Sequence, residues 1–254
     1  MRLFLTGRMA IESSTGVVDE RDLPGRQARL ALAHLALGAQ RPVSRDALAD
    51  AIWGEDLPAG WEGALKALVS KLRVVLVRTG FDPDRAITTV SGSYQLRLPA
   101  DGWVDLEACP LALDQAEAAL RRDDIATAWS EATVASAIAR RPFLPGEDLA
   151  WVDEVRSSLR LWRVRSIDCL TEVWLARGNP GLAISLASES IGLEPYRESA
   201  YRHLMRAHFL AGDRGEALRT FDRCARVLHA ELGVEPHPDT VALRDQFRSG
   251  SGGR

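Results

Sequence analysis

The sequence predicts a mainly α-helical protein in two parts, a small mixed α/β domain over residues 1–98 and an all-helical domain over 99–247, with a flexible tail at 248–254. Three observations lead there. Apolar residues alternate only near the N-terminus and around residue 90; they recur at helical spacing almost everywhere else; and six positions of the helical part repeat 34 residues further on. A length of 254 residues suits about two domains, and 46% apolar with 26% charged residues is the composition of a folded chain.

The first strands are read from Leu3 and Leu5, which alternate with Arg2, Phe4 and Thr6, and from Met9 and Ile11, which continue the pattern. A turn at Ser14-Thr15-Gly16 leads to a third strand at Val17 to Asp19, completing a small antiparallel sheet. After Pro24-Gly25 the period becomes helical, with Ala28, Ala31, Leu32, Leu35 and Ala36 on one face and Gly38 at the stop. Ser44 suits the N-cap of a second helix whose buried side is Leu48 and Ile52.

The loop Gly54 to Gly60 precedes a longer third helix, Trp61 to about Arg78. On a 100° wheel Leu65, Leu68, Val69, Leu72 and Leu76 share one side, while Lys66, Ala67, Ser70, Lys71, Val74 and Arg78 face away and Arg73 lies at the margin. Two β-forming runs, Ile87 to Val90 and Tyr94 to Leu98, flank the turn residues Ser91-Gly92-Ser93 and read as a hairpin. Sheet, three helices and terminal hairpin describe a winged helix-turn-helix.

Beyond Asp101 the strand signals vanish. Ala- and Leu-rich helical segments run from Val104 to Phe247, broken at residues 122–124, 141–142, 178–180, 194–195, 212–213 and 233–238. Breaks this short imply antiparallel helical hairpins. Leu170, Leu175, Gly178, Asn179, Ala183 and Ile184 recur as Leu204, Phe209, Gly212, Asp213, Ala217 and Leu218, the period of tetratricopeptide repeats. A weaker third copy is Leu120, Asp124 and Ala128, offset by 55.

Charge and cysteine usage narrow the function classes. The net charge of −3 divides unevenly, since residues 1–98 hold 13 Lys/Arg against 11 Asp/Glu and the remainder is acidic. The first part is thereby permitted to bind nucleic acid. Three widely spaced cysteines exclude a disulfide framework and a CxxC zinc site, and fit a reducing cytoplasm. No apolar stretch has the length of a membrane span, and no export signal is read. GxGxxG, P-loop, GxSxG and HExxH motifs are all lacking, so neither an enzyme nor a cofactor or metal site is expected. Trp151, Trp162 and Trp174 read as packing anchors on long helices.

The strings PGRQARLALAHLAL, VSRDALADAIWGEDLP, ALKALVSKLRVVL and TTVSGSYQLRL resemble, in order and spacing, the DNA-binding half of the Streptomyces antibiotic regulatory protein (SARP) family. WVDEVRSSL, the 34-residue repeat and GEALRTFDRCARVLHAELGVEPHPDTVALRDQ resemble the bacterial transcriptional activator domain that follows it. The resemblance covers residues 2 to about 247. It implies a cytoplasmic transcriptional activator that binds direct repeats in double-stranded promoter DNA, usually as two protomers in tandem. It also implies recruitment of RNA polymerase holoenzyme, at secondary-metabolite or similar pathway genes.

On this reading the outward face of the third helix enters the major groove. Lys66, Lys71, Arg73 and Arg78 have the charge to meet phosphates or guanine edges, Ser70 can bond either, and Ala67 or Val74 suits a thymine methyl. Ser91, Gly92 and Ser93 are short enough for backbone to approach a phosphate, with Arg97 nearby. Glu55 and Asp56 resemble the acidic segment that winged-helix activators offer to polymerase. The rival reading is a helical-repeat adaptor for proteins whose winged helix does not bind DNA, in keeping with the acidic total and weakly basic third helix.

Overall fold

A computed structural model describes residues 1–39 and 41–249. The first strands form as spaced: β1 (Arg2–Phe4), β2 (Ala10–Glu12) and β3 (Val17–Asp19) pair antiparallel in the order β3-β2-β1. Leu3, Ile11 and Val18 are in register and all buried, as strict alternation requires. Helices α1 (Arg26–Leu37), α2 (Arg45–Trp53) and α3 (Trp61–Val77) follow and touch one another pairwise. Ser44 Oγ accepts the Ala47 N–H at 3.1 Å, the expected cap of α2.

A short helix α4 (Pro83–Ala86) leads into the wing, β5 (Ile87–Val90) and β6 (Ser93–Leu96), which pair from Ile87↔Leu96 to Val90↔Ser93. Two short strands escaped the sequence reading. β4 (Val43–Ser44) adds to the free edge of β6, and β7 (Trp103–Val104) lies parallel to β1, although no β-structure was expected beyond Asp101. Two-residue strands leave no period to detect.

The remaining helices are α5 (Asp105–Leu120), α6 (Ile125–Ala139), α7 (Ala150–Ala176), α8 (Pro180–Leu193), α9 (Glu198–Leu210), α10 (Arg214–Leu232) and α11 (Pro238–Ser249). Arg248 and Ser249, expected in the tail, complete α11; the rest of that tail, 250–254, lies outside the described residues. Among the described residues no helix is long and apolar enough to cross a membrane.

The described chain forms two compact units, one of residues 1–110 with 138–159, the other of 111–137 with 160 onward. Segment 138–159, counted with the helical part in the sequence reading, joins the first unit for identifiable reasons. Trp151 Nε1 donates to the Ala51 carbonyl at 3.0 Å, buried Glu147 pairs with Arg26 at 2.7 Å, and Thr6 bridges to Phe143. In the same unit the fully buried Asp105 accepts from the Leu5 and Thr6 amides at 3.0 and 2.9 Å and from the Thr6 hydroxyl at 2.7 Å. A buried carboxylate needs such donors, and they tie the start of α5 to the end of β1.

In the second unit the 34-residue repeat is a repeat of hydrogen bonds. The Gly178 and Asn179 amides donate to Leu175 and Trp174 carbonyls, and Gly212 and Asp213 donate to Phe209 and His208 in the same way. Asn179 caps α8 and Asp213 caps α10, while Ala183 and Ala217 are fully buried one turn inside. The third copy obeys the same pattern: Asp123 and Asp124 amides donate to Leu120 and Ala119, and Asp123 takes the left-handed conformation, φ 56°, that glycine supplies in the other two. Across the repeats, Tyr201, Leu204, Ile191 and Leu228 form one apolar cluster and Met205, Ala217, Phe221 and Phe247 another.

Candidate nucleic-acid interface

Helix α3 has two unlike faces, which makes it the candidate interface. Leu65, Leu68, Val69, Leu72 and Leu76 are its buried residues, the stripe that the helical wheel selects. Opposite them Lys66, Ala67, Ser70, Lys71 and Val74 are exposed. At 17 residues the helix is about 25 Å long, ample for the major groove of DNA.

The exposed groups differ in what they can offer. Among the described residues no hydrogen bond or ion pair engages the ammonium of Lys66 or Lys71, so both are available to an anion. Ser70 Oγ donates to the Lys66 carbonyl at 2.9 Å, which leaves its lone pairs to accept from a base amino group. Val74 is 70% exposed, an apolar side chain among polar ones, as a thymine-methyl contact requires.

Two of the expected cations are already engaged. Arg73 donates Nε and Nη2 to the Ile87 carbonyl at 2.9 and 2.7 Å, with Thr89 Oγ1 at 3.4 Å, and so braces the wing against α3. Arg78 donates to Asp22 at 2.6 Å across to the β3–α1 connection. The Asp22 carboxyl is held below its usual range, first by the Asp19 amide and then by this guanidinium. Arg78 is therefore turned toward its own domain.

The wing is a two-residue hairpin. Ser91 and Gly92 both have positive φ, 49° and 81°, the type I′ turn whose twist matches the flanking strands. Ser91 stands exposed at the tip. Ser93, expected in the turn beside it, is instead the first residue of β6, half-buried between Ser44 of β4 and Val90 of β5. Arg97 follows β6 exposed, its Nε 3.3 Å from Thr88 Oγ1.

Glu55 and Asp56 lie exposed in the α2–α3 connection, with no ion pair among the described residues. Leu57 beside them is also exposed, an apolar side chain that the sequence reading passed over. Arg45 was missed as well. Its guanidinium lies 6.0 Å from the centre of the Tyr94 ring at the wing's base, a position made by the pairing of Ser44 with Ser93. No local signal in the sequence announces it.

Comparisons agree with this architecture. Residues 104–248 match the bacterial transcriptional activator domain family, and residues 20–96 match the family described as transcriptional regulatory protein, C terminal. The chain is 30% identical over 221 residues to the regulatory protein AfsR of Streptomyces coelicolor, covering 87% of this chain and 22% of AfsR. It is 27% identical to the transcriptional regulatory protein EmbR of Mycobacterium tuberculosis, covering 86% of this chain and 56% of EmbR. With the transcriptional regulator RedD of Streptomyces coelicolor identity is 29%, over 83% of this chain and 60% of RedD. The chain thus spans only part of the length of these relatives. A solved structure of Mycobacterium tuberculosis EmbR in complex with a low affinity phosphopeptide superposes with a TM-score of 0.87 at 25% identity, covering 98% of this chain and 65% of that one.

Proposed function

The chain belongs to the bacterial transcriptional activator domain family, in the SARP arrangement of a winged helix followed by that domain, and from this premise we propose that it is a sequence-specific, DNA-binding transcriptional activator. The observation that carries the proposal is the solvent face of α3, where Lys66 and Lys71 are unpaired among the described residues and Ser70 and Val74 point the same way, beside a type I′ wing. Lys66 and Lys71 hold phosphates, Ser70 and Val74 read base edges, and Ser91 at the wing tip meets the flanking backbone. Ala67 is small enough to let the helix approach the bases. Arg97 and Arg45 add charge near the wing, whereas Arg73, Arg78 and Ser93 act by holding the interface in shape.

Two protomers bound in tandem on a direct repeat would present their acidic α2–α3 connections, Glu55 and Asp56 with exposed Leu57, to RNA polymerase holoenzyme. The similarity to named transcriptional regulators supports regulation of transcription over a passive scaffold, and a cytoplasmic location is part of the same reading.

Selection from a random duplex library tests this directly. The full chain should enrich one family of sequences containing a repeated element, and Lys66→Ala/Lys71→Ala should enrich none. Enrichment indifferent to sequence, or equal for the double variant, contradicts the assignment.

A further inference from the structure

The second compact unit has a groove that DNA recognition does not use. Its walls come from α7, α9 and α11. One end is a polar cavity of about 490 Å³ whose charged lining includes Arg202, Arg206, Glu172 and Asp239. The other, of about 400 Å³, is lined by Leu175, Phe209, Leu210 and Phe247. Glu172, Arg206 and Gln246 line both, so the two cavities adjoin. Volumes of ~300–1,000 Å³ are those of small-molecule sites.

The groove carries both signs of charge at its polar end. Arg202 and Arg206, four residues apart, share one face of α9. Among the described residues each makes one hydrogen bond in the groove, Arg202 Nη1 to Thr240 Oγ1 at 3.0 Å and Arg206 Nη1 to Glu172 Oε1 at 3.0 Å, which leaves further N–H donors on both guanidiniums. The buried His203 also meets Glu172 on Oε1, at 2.9 Å, so Oε2 of that carboxylate is open among the described residues. Asp239 is the second carboxylate, on α11. At the apolar end Phe209 and Phe247 stack with centroids 4.2 Å apart and planes within 7°.

We infer that this groove binds a small zwitterion with an apolar side chain, of the class of phenylalanine or leucine. Its carboxylate would lie on Arg202 and Arg206, its ammonium on Glu172 Oε2 and Asp239, and its side chain against Leu175, Phe209 and Leu210. A plain anion would be placed beside two carboxylates, and a plain cation beside two guanidiniums. A molecule with both charges next to an apolar group meets the two guanidiniums, the two carboxylates and the apolar end together. This inference stands independently of the DNA reading, and its test does not use DNA.

The test is isothermal titration of the full chain with L-phenylalanine, L-leucine and L-alanine. Two analogues run alongside, 3-phenylpropionate and phenethylamine, each keeping the ring and one of the charges. Phenylalanine or leucine should bind saturably, with alanine and both single-charge analogues weaker by about tenfold or more. Arg206→Met should lose binding by a similar factor while the far-ultraviolet circular dichroism stays that of the parent. The ligand series decides the matter even if that variant misfolds. No saturable binding of either apolar amino acid at concentrations about ten times a ~1 mM Kd overturns the site. Equal binding of 3-phenylpropionate and phenylalanine overturns the zwitterion.

Discussion

The guanidinium of Arg73 grips the main-chain carbonyl of Ile87 through two nitrogens, at 2.9 and 2.7 Å, and thereby sets the first residue of the wing against the C-terminal half of α3. Two donors on one acceptor hold orientation as well as distance. Arg73→Gln is expected to weaken DNA binding and blur sequence preference while leaving the salt dependence unchanged, because no phosphate contact is lost. A decrease of about one unit in the slope of log K against log salt would instead make Arg73 a phosphate contact.

Lys71 has the opposite expectation. With no partner to release among the described residues, Lys71→Ala should weaken binding uniformly across sequences and reduce the salt slope by about one unit. Ser70→Ala should relax preference at one base position with the slope intact. Binding by Lys71→Ala equal to the parent at every salt concentration removes it from the interface.

Asp105 joins α5 to β1 inside the first compact unit. Asp105→Ala would leave the Leu5 amide and both donors of Thr6 buried without their acceptor. Each such loss costs ~1–3 kcal/mol, so the variant should be destabilised by about 3 kcal/mol or more, read as a lower urea midpoint. For the same reason a fragment ending at residue 98, which lacks Asp105, β7 and segment 138–159, should fold less stably than the first unit does in the whole chain. A fragment with an undiminished midpoint would show that these contacts are dispensable.

His203 is expected to make the second unit sensitive to pH. Burial pulls its imidazole down, but the Asp168 and Glu172 carboxylates outweigh burial and the net shift from 6.5 is upward. Glu172 meets Nε2 at 2.9 Å; Asp168 stands 3.7 Å from Nδ1 and acts through its charge. The Glu172 carboxyl is lowered, first by its hydrogen bond to His203; that of Asp168 is lowered because His203 and Arg197 overcome its burial. A raised histidine stabilises the fold fully below its unfolded value near 6.5 and loses that contribution as pH rises through the folded value. The lowered carboxylates contribute above their unfolded values and lose it as pH falls through the folded ones. The parent Tm should therefore decline as pH rises above about 6.5, and His203→Gln should flatten that decline. A Tm that rises with pH there contradicts the ion cluster.

Ala217 is fully buried among Met205, Phe221 and Phe247, one turn inside α10. Ala217→Leu should cost ~1–3 kcal/mol by overpacking, lower the Tm of the second unit and impair activation in a reporter assay. Gly212 gives a contrasting case, since a Cβ there would meet nothing within 4 Å and yet φ is +81°. Gly212→Ala should cost ~1–2 kcal/mol through the backbone alone. Normal melting of both variants would break the 34-residue register.

Much of this molecule was legible in the order of its residues. The buried stripe of α3, the Ser44 cap and the 34-residue recurrence of Gly178-Asn179 as Gly212-Asp213 are local properties, fixed by helical period and turn chemistry within a few neighbours. The exposed lysines of α3 followed from the same period. What only the tertiary structure decided is which distant groups meet. Arg73 lies on α3, and only the folded wing, 14 residues on, brings the Ile87 carbonyl to its guanidinium. Ser93 left the turn because β4, from far earlier in the chain, pairs with it. Asp105 finds its donors 100 residues away, and segment 138–159 joins the first unit through Trp151, Glu147 and Phe143. Periodicity reports the face on which a side chain emerges, whereas hydrogen-bond partners depend on how separate elements are brought together, and that information resides in packing.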